Sequence, residues 1–217
     1  MLKKILLGLV VVLVALCGFI ATRPSTFVVQ RTATLKVSPD IAFAAVNDFH
    51  RWAEWSPWDK MDPQQKTTFE GAASGTGAKY GWSGNDQVGE GRMTIEESRA
   101  NELVRIKLEF IRPFATTNST SFLFAPAAEG VSVTWKMEGT NDFMGKAFSA
   151  FMDMDAMVGK DFDKGLADLA KVAEADAQKL AQAEAAKRAA EEAAAAAGGT
   201  SEAGQPGVEG AVAVPTP

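Results

Sequence analysis

Six segments between residues 64 and 139 are predicted strands, and two of them alternate clearly between apolar and polar side chains; this pattern limits the fold more than any other feature. In the segment Val131–Glu138, for example, apolar residues occupy every odd position. A period of two predicts strands with one buried face, and the short Gly-, Asn- and Asp-containing connections predict hairpins between them. With a further alternating segment at residues 27–37, the pattern predicts an antiparallel sheet of about seven strands.

A helical pattern begins near Asn141, where the alternation ends. Large apolar residues recur there at three- and four-residue intervals, which predicts one long helix with a single apolar stripe. The stripe consists of Met144, Phe148, Phe151, Val158, Phe162, Leu166 and Leu169. Two short helices, one beginning at Ser38-Pro39 and one around residues 51–54, precede the six strands. We therefore predict an α+β fold in which a curved antiparallel sheet wraps around a long C-terminal helix.

The first 24 residues are predicted to be a transmembrane anchor or a signal segment. Sixteen uncharged, mostly apolar residues from Ile5 to Ile20 follow a pair of lysines. As a helix they span about 24 Å, which is short for a bilayer core of about 30 Å but longer than most signal-peptide cores. No clear cleavage site follows them. The lysines favour a cytoplasmic N-terminus. We expect a single pass through residues 2–21 with the C-terminal domain outside the cytoplasm, or a secreted or periplasmic protein if the segment is cleaved.

The C-terminal part of the chain differs in composition from the predicted folded domain, residues 25–170. Residues 171–197 are rich in Ala and charged side chains and contain few large apolar ones, which predicts a solvated helical extension. Residues 198–217 contain several Gly and Pro and no aromatic residue, which is typical of a disordered tail.

Charge and composition disfavour several classes of function. The 217 residues include 22 basic and 27 acidic side chains, and this net charge of −5 disfavours nucleic acid as a partner. One cysteine, Cys17, excludes an intramolecular disulfide, and one histidine, His50, excludes a multi-histidine metal site. The Gly-rich stretch 71–91 contains no phosphate-loop motif, and the acidic residues between 153 and 163 lack the spacing of a calcium loop. We expect neither a metal nor a cofactor.

Two motifs in the predicted domain carry more specific information. The first is the Trp-rich segment Asp48-Phe-His-Arg-Trp-Ala-Glu-Trp-Ser-Pro-Trp58, and the second is the Asp-x3-Gly-x2-Phe-x2-Gly-Leu run within Met154–Leu166. With the strand pattern, they resemble the START-like, helix-grip superfamily, and more narrowly its polyketide cyclase/dehydrase and lipid-transport group, over about residues 26–170. The resemblance implies a cavity between sheet and helix that takes apolar or amphipathic small molecules. It implies no reaction, because members range from carriers to cyclases.

The side chains expected to line this cavity are mostly aromatic. They are Trp52, Trp55, Trp58, Trp82, Phe110, Trp135, Met137, Phe148, Phe151 and Asp155. For the three tryptophans of the motif an alternative remains open, in which their rings wedge the short helices against the sheet. For Met137 the alternative is ordinary core packing.

Asp155 interrupts the apolar stripe with a carboxylate. At about 100° per residue it lies about 20° from the direction of Phe148, so it is predicted to point toward the sheet. A carboxylate in such a place needs a partner, a cavity or water. Arg31, in the apolar phase of the first strand, is the candidate partner. An Asp155–Arg31 pair locked inside the fold and an acid facing a ligand are the two alternatives.

These features together predict a membrane-tethered or secreted protein that binds a hydrophobic small molecule or lipid non-covalently. One alternative is a cyclase- or dehydratase-type enzyme that uses the same cavity, with Asp155 as acid or base. A second is an interaction module of the cell envelope without a ligand, whose protein partner is unknown. A cavity larger than about 300 Å³ with converging polar groups would favour an enzyme or a specific binder, and a filled core would favour the interaction module.

Overall fold

Seven antiparallel strands form one sheet in the computed structural model of the protein, which describes residues 1–198. The strands are β1 (Thr26–Leu35), β2 (Lys66–Gly71), β3 (Ala78–Ser83), β4 (Glu90–Arg99), β5 (Leu103–Arg112), β6 (Thr116–Ala127) and β7 (Gly130–Thr140). Each strand from β2 to β7 pairs with its neighbour along the chain, and β1 pairs with β7, which gives the order β1-β7-β6-β5-β4-β3-β2. The strands and hairpins predicted from the alternating pattern are confirmed.

Five α-helices accompany the sheet. They are α1 (Leu2–Ala21), α2 (Pro39–Asn47), α3 (Trp52–Trp55), α4 (Phe143–Phe151) and α5 (Met154–Gly198), with 3₁₀ turns at Phe49–Arg51 and Trp58–Lys60. The chain separates into two units, Met1–Ala177 and a second that begins at Gln178. The described part of the second unit is the C-terminal part of α5. Of the tail predicted over residues 198–217, all but Gly198 lies outside the described residues.

The core of the first unit lies between one face of the sheet and α5. Phe162, Leu166 and Leu169 of α5 are buried, and Phe162 stacks on Trp135 of β7 with 4.2 Å between ring centroids. Gly165 allows this close approach, because a Cβ atom at that position would lie 2.7 Å from Cζ3 of Trp135. The predicted α+β helix-grip fold, with an N-terminal apolar helix, is confirmed.

The segment predicted to form one long helix after β7 forms two helices, and the break follows Phe151, the last residue of α4. Met152 has an extended backbone, and the carboxylate of Asp153 accepts a hydrogen bond from the backbone N–H of Ala156 at 3.0 Å. Asp142 caps α4 in the same way, through the N–H of Gly145 at 2.7 Å. An aspartate that caps a helix start within the apolar stripe ends one helix and begins the next. The stripe therefore does not continue through residue 153.

The prediction that the first half of the stripe faces the core is wrong. Met144 is 69% exposed, Phe148 46% and Phe151 73%. The physical reason is the break between α4 and α5, which separates these residues from the buried stripe that begins at Phe162.

α1 is the one helix of residues 1–198 that is long and apolar enough to cross a membrane. Its 20 residues extend over about 30 Å, which matches the hydrocarbon thickness of a bilayer and exceeds the apolar run seen in the sequence. Ile20 is its single buried residue. A four-residue connection, residues 22–25, leads from α1 to β1.

Candidate functional site: a cavity between the sheet and α5

A cavity of about 190 Å³ lies between the sheet and α5. It is lined by side chains of β3 to β7, of α5 and of the segment between α2 and β2. The volume is larger than a cavity of about 150 Å³ that binds benzene, and smaller than the roughly 300–1,000 Å³ of pockets for drug-sized ligands. The space therefore fits one ring or a short acyl segment.

Six of the ten predicted site residues line this cavity. They are Trp52, Trp58, Trp82, Phe110, Trp135 and Met137. Trp55 is fully buried in the core and does not line the cavity. Phe151 and Asp155 border a separate open groove beside β1, and Phe148 is exposed on α4. These last three residues are outside the cavity because α4 and the first turn of α5 do not cover it.

Two tryptophans of the motif attach the short helices to the fold. Trp52 donates its indole N–H to the carbonyl oxygen of Val46 at 2.9 Å, and Trp55 donates to Ala45 at 3.2 Å. Both acceptors lie in the last turns of α2, so the indoles connect α3 to α2. Both rings also pack edge to face against Phe122 and Trp135 of the sheet, as the wedge alternative requires. Trp52 also borders the cavity, whereas Trp55 has the connecting role alone.

Trp82 and Phe110 line one end of the cavity. Their rings meet edge to face with 5.8 Å between centroids, across Gly91 of β4, which pairs with both residues in the sheet. A Cβ atom at Gly91 would overlap the Trp82 ring. The glycine therefore leaves the space in which the indole lies, and the Trp82 N–H donates to the carbonyl oxygen of Val88 at 2.9 Å.

Sequence analysis missed a polar cluster in the cavity lining, formed by Asp59, Gln65 and Tyr80. The Tyr80 hydroxyl donates to Oδ1 of Asp59 at 2.9 Å, and Nε2 of Gln65 donates to the Tyr80 hydroxyl at 3.1 Å. Burial, and then the nearby Asp59 carboxylate, raise the pKa of Tyr80 above its ordinary value. Because the phenol stays protonated at neutral pH, it acts as a hydrogen-bond donor. The only sequence signal was the inward phase of Tyr80 in β3.

Trp135 and Thr120 make a second polar contact in the lining. Nε1 of Trp135 donates to Oγ1 of Thr120 at 3.0 Å, and that hydroxyl donates to the carbonyl oxygen of Lys136 at 3.0 Å. Because both groups are satisfied within the protein, they shape the cavity wall. Besides the cluster of Asp59, Gln65 and Tyr80, the polar side chains of Ser56 and Asp161 line the cavity. No three His, Cys, Asp or Glu side chains within residues 1–198 are placed to hold a metal ion.

Asp155 lies at the protein surface and pairs with Arg31. Its carboxylate accepts hydrogen bonds from both Nη atoms of Arg31, at 2.9 and 3.0 Å, and its side chain is 57% exposed. The structure thus shows the expected partner, but the expected burial of Asp155 is wrong. Asp155 does face β1, yet it stands in the first turn of α5, which the core does not reach. The Arg31 guanidinium lowers the pKa of Asp155, so this group stays ionised outside the cavity.

Comparison with solved structures agrees with the fold. The solution structure of the KanY protein matches with 17% identity and a TM-score of 0.50, over 69% of this chain and 98% of that one. A protein of unknown function from Staphylococcus aureus matches with 16% identity and a TM-score of 0.50, over 70% and 96%. At these identities the likeness concerns the fold alone. No curated protein matches the chain.

A family model supplies the evidence for ancestry. The family is described as polyketide cyclase / dehydrase and lipid transport, and its model matches residues 26–174, which is well over half of the 217 residues. The matched segment includes the whole sheet, the Trp-rich motif and the buried part of α5. The chain therefore belongs to the polyketide cyclase / dehydrase and lipid transport family, as the two sequence motifs predicted.

Proposed function

We propose that the protein holds the apolar part of a hydrophobic small molecule or lipid in the cavity between sheet and α5, while α1 anchors it in a membrane. The family supports a fold that binds hydrophobic ligands. The observation that carries the proposal is the cavity itself, in which aromatic rings surround the space and one polar cluster, Asp59, Gln65 and Tyr80, adjoins it. Such a lining is typical of small-molecule sites.

The size of the cavity defines the class of ligand. A volume of about 190 Å³ accommodates one ring or part of an acyl chain, so the remainder of a larger ligand would stay outside. The amide of Gln65 and the carboxylate of Asp161 supply hydrogen-bonding groups for a polar substituent. We therefore favour an amphipathic ligand with a short apolar part.

The two alternatives receive less support. For a cyclase or dehydratase, Asp155 was the acid or base expected from the sequence, and it lies outside the cavity in an ion pair. Tyr80 retains its proton because its pKa is raised, so it does not act as a base, and the carboxylates that do line the cavity are Asp59 and Asp161. For an interaction module without a ligand, a filled core was expected. The cavity of about 190 Å³ is smaller than the roughly 300 Å³ expected of an enzyme or specific binder, but it leaves the core unfilled. Non-covalent binding is the function that these features favour.

Anchoring through α1 is the second part of the proposal. Its length matches a bilayer core, and the lysines at its start favour a cytoplasmic N-terminus, with the folded unit on the opposite side. The mass of the mature protein in the membrane fraction tests this part. We expect the full chain. A mature species that begins near residue 22 and is released from membranes would contradict the anchor and would leave ligand binding open.

Ligand binding is tested by tryptophan quenching, because four of the five tryptophans line the cavity. The full chain in lipid nanodiscs is titrated with bromobenzene and with bromooctanoate, whose bromine quenches nearby indoles. We expect a saturable component of quenching. Val158→Phe places a ring in the cavity and should remove that component. Val172→Phe, a substitution of the same kind on the same helix but outside the cavity lining, should retain it.

Two outcomes would overturn the binding proposal. One is quenching that rises linearly for the wild type, as expected for simple partition of the probe into lipid. The other is an equal saturable component in wild type and Val158→Phe, which would show that the probe occupies some other site. Neither outcome depends on whether α1 remains attached.

A further inference from the structure

In residues 22–177, seven of the twelve exposed large apolar side chains lie in two segments. Helix α4 and the residue after it contribute Phe143, Met144, Phe148, Phe151 and Met152, and the end of β5 and the β5–β6 connection contribute Ile111 and Phe114. The most exposed of them are Phe114, at 78%, and Phe151, at 73%. Concentrations of exposed apolar side chains mark surfaces that contact another apolar phase.

Strand register shows that both segments lie at the end of the sheet where α1 is attached. Thr26, the first residue of β1, pairs with Thr140, the last residue of β7, and α4 begins three residues later. On the next strand, Asn118 pairs with Gly139, so the start of β6 and the β5–β6 turn before it lie at the same end. In the described structure, the turns at the opposite end, residues 100–102 and 128–129, present no large exposed apolar side chain.

Helix α4 also contacts the end of α1. Nζ of Lys146 lies 3.4 Å from the carbonyl oxygen of Ala21, to which it donates a hydrogen bond. On the other side of α4, Met144, Phe148 and Phe151 fall within an arc of about 60°. The apolar stripe of α4 is therefore directed away from the contact with α1 and outward from the core.

The connection between α1 and the sheet is too short to hold the domain far from a bilayer. Five residue steps separate Ala21 from Thr26, and they span at most about 18 Å. When α1 crosses a membrane, the α1 end of the sheet is therefore held close to the headgroups.

We propose that the apolar stripe of α4 and the β5–β6 turn together form a bilayer-contact surface that enters the lipid interface beside the exit of α1. The inference rests on the proposed membrane anchor. We take lipid to be the phase that this surface contacts, because the surface adjoins the C-terminal end of the membrane helix α1. Arg23 and Lys146 at the same place add the positive charge that anionic headgroups attract.

This placement bears on how a ligand reaches the cavity. Trp82 and Phe110 line the cavity. They lie near the last residues of β3 and β5, at the same end of the sheet as the β5–β6 turn. With this end against the bilayer, Trp82 and Phe110 lie on the bilayer side of the cavity.

The experiment measures the depth of single fluorophores in vesicles. The natural Cys17 lies in α1 and, labelled with a nitrobenzoxadiazole dye, reports whether α1 is inserted. In a Cys17→Ser background, Phe151→Cys and Phe114→Cys report on the proposed surface, and Ala128→Cys, at the opposite end of the sheet, is the control. The full chain is reconstituted into phosphatidylcholine vesicles containing one quarter phosphatidylglycerol, with and without a nitroxide on the acyl chains.

We expect the acyl-chain nitroxide to quench the dyes at residues 114 and 151 several-fold more strongly than the dye at residue 128. Strong quenching at Cys17 with water-like emission at 114 and 151 would overturn the bilayer-contact surface and leave the anchor intact. Weak quenching at all four positions would overturn both proposals. Blue-shifted emission at 151 without nitroxide quenching would show that protein, such as a second copy of the chain, covers α4, and this would also overturn the inference.

A variant with both Met144 and Phe151 replaced by Glu provides a second measurement in the same vesicles. We expect it to reduce quenching of a dye at residue 114, because charged side chains keep α4 out of the acyl region. Circular dichroism and tryptophan emission establish that the variant is folded. Unchanged quenching at residue 114 in a folded variant would contradict a joint surface.

Discussion

Arg31 of β1 and Asp155 of α5 form a two-pronged ion pair, with 2.9 Å between Nη1 and Oδ1 and 3.0 Å between Nη2 and Oδ2. Nη2 also donates to the backbone carbonyl of Asp155 at 3.1 Å, and Nε donates to Oδ2 of Asp163 at 3.3 Å. Gly159 leaves room for this arrangement, because a Cβ atom there would overlap the guanidinium. The pair connects the edge strand to the start of α5 from the protein surface.

Asp155→Asn should destabilise the protein only slightly, because the pair is exposed and a surface ion pair contributes little. Phe162→Ala, by contrast, removes a fully buried ring and should cost about 3–5 kcal/mol. Urea unfolding of the full chain in detergent micelles, followed by tryptophan emission, compares the two variants. The loss of unfolding free energy caused by Asp155→Asn should be smaller at high salt and close to zero in an Arg31→Met background. A loss as large as that of Phe162→Ala would contradict the exposed position of the pair.

The pair also predicts a pH dependence with a defined sign. Arg31 lowers the pKa of Asp155 in the folded chain, so the unfolded chain takes up a proton first as the pH falls. The stabilising contribution is complete above the ordinary aspartate pKa of about 3.9 and is lost as the pH falls through the lower folded value. The difference in unfolding free energy between wild type and Asp155→Asn should therefore decrease between neutral and strongly acidic pH. An unchanged difference would contradict this account.

Tyr80 is the single tyrosine of the chain, so its ionisation is visible without interference from another phenol. Burial and Asp59 raise its pKa, so absorbance at the phenolate wavelength should stay flat through pH 10, where a free tyrosine ionises. Stability should fall above pH 10, since the unfolded chain releases this proton and the folded chain does not. Asp59→Asn should lower the Tyr80 pKa, because it removes a negative charge. Phenolate absorbance near pH 10 in the folded wild type would contradict the buried cluster.

Gly165→Ala should destabilise the protein although alanine favours helices. The gain in helix propensity is about 1 kcal/mol, whereas overpacking against rigid neighbours costs about 1–3 kcal/mol. The neighbours are Trp135, 2.7 Å from the added Cβ, and Pro57, 3.3 Å from it. Ala167→Gly, at an exposed position of the same helix, measures the propensity effect alone. An increase in unfolding free energy for Gly165→Ala would show that Trp135 can shift without cost.

Truncation of the chain locates the end of the folded unit. The sequence placed this end at residue 170, but Ala173 is fully buried, and Asp176 pairs with Arg51 at 2.5 Å. We therefore propose Ala177 as the end. A chain that stops after Ala177 should lose less than about 0.5 kcal/mol, while one that stops after Leu169 should lose on the order of 3 kcal/mol through lost burial and a broken pair. Equal stability of the two would support residue 170 instead.

Secondary-structure elements that are marked by a pattern in neighbouring residues could be predicted from the sequence. Alternation along Val131–Glu138 shows which side chains share a face, and hairpin turns show which strands are neighbours, so the pairing from β2 to β7 followed from local pattern. The pairing of β1 with β7 joins residues about 100 positions apart and did not. The apolar run of α1 and the family motifs were equally local. Asp153 was a visible cap signal as well, but within a continuous apolar stripe it was not recognised, and the exposure of α4 went unpredicted.

The burial of individual side chains, and the meeting of polar groups from separate segments, depended on tertiary structure. Periodicity directed Asp155 toward β1 correctly, but burial depends on what other elements cover a position, and nothing covers the first turn of α5. Asp59, Gln65 and Tyr80 come from separate segments, and only the folded sheet brings their polar atoms within hydrogen-bonding distance. The sequence by itself determined which segments form strands, which of their faces are buried and that a helical segment follows β7. Tertiary structure alone decided where those faces leave a cavity, because a void arises from how several surfaces meet and not from any one of them.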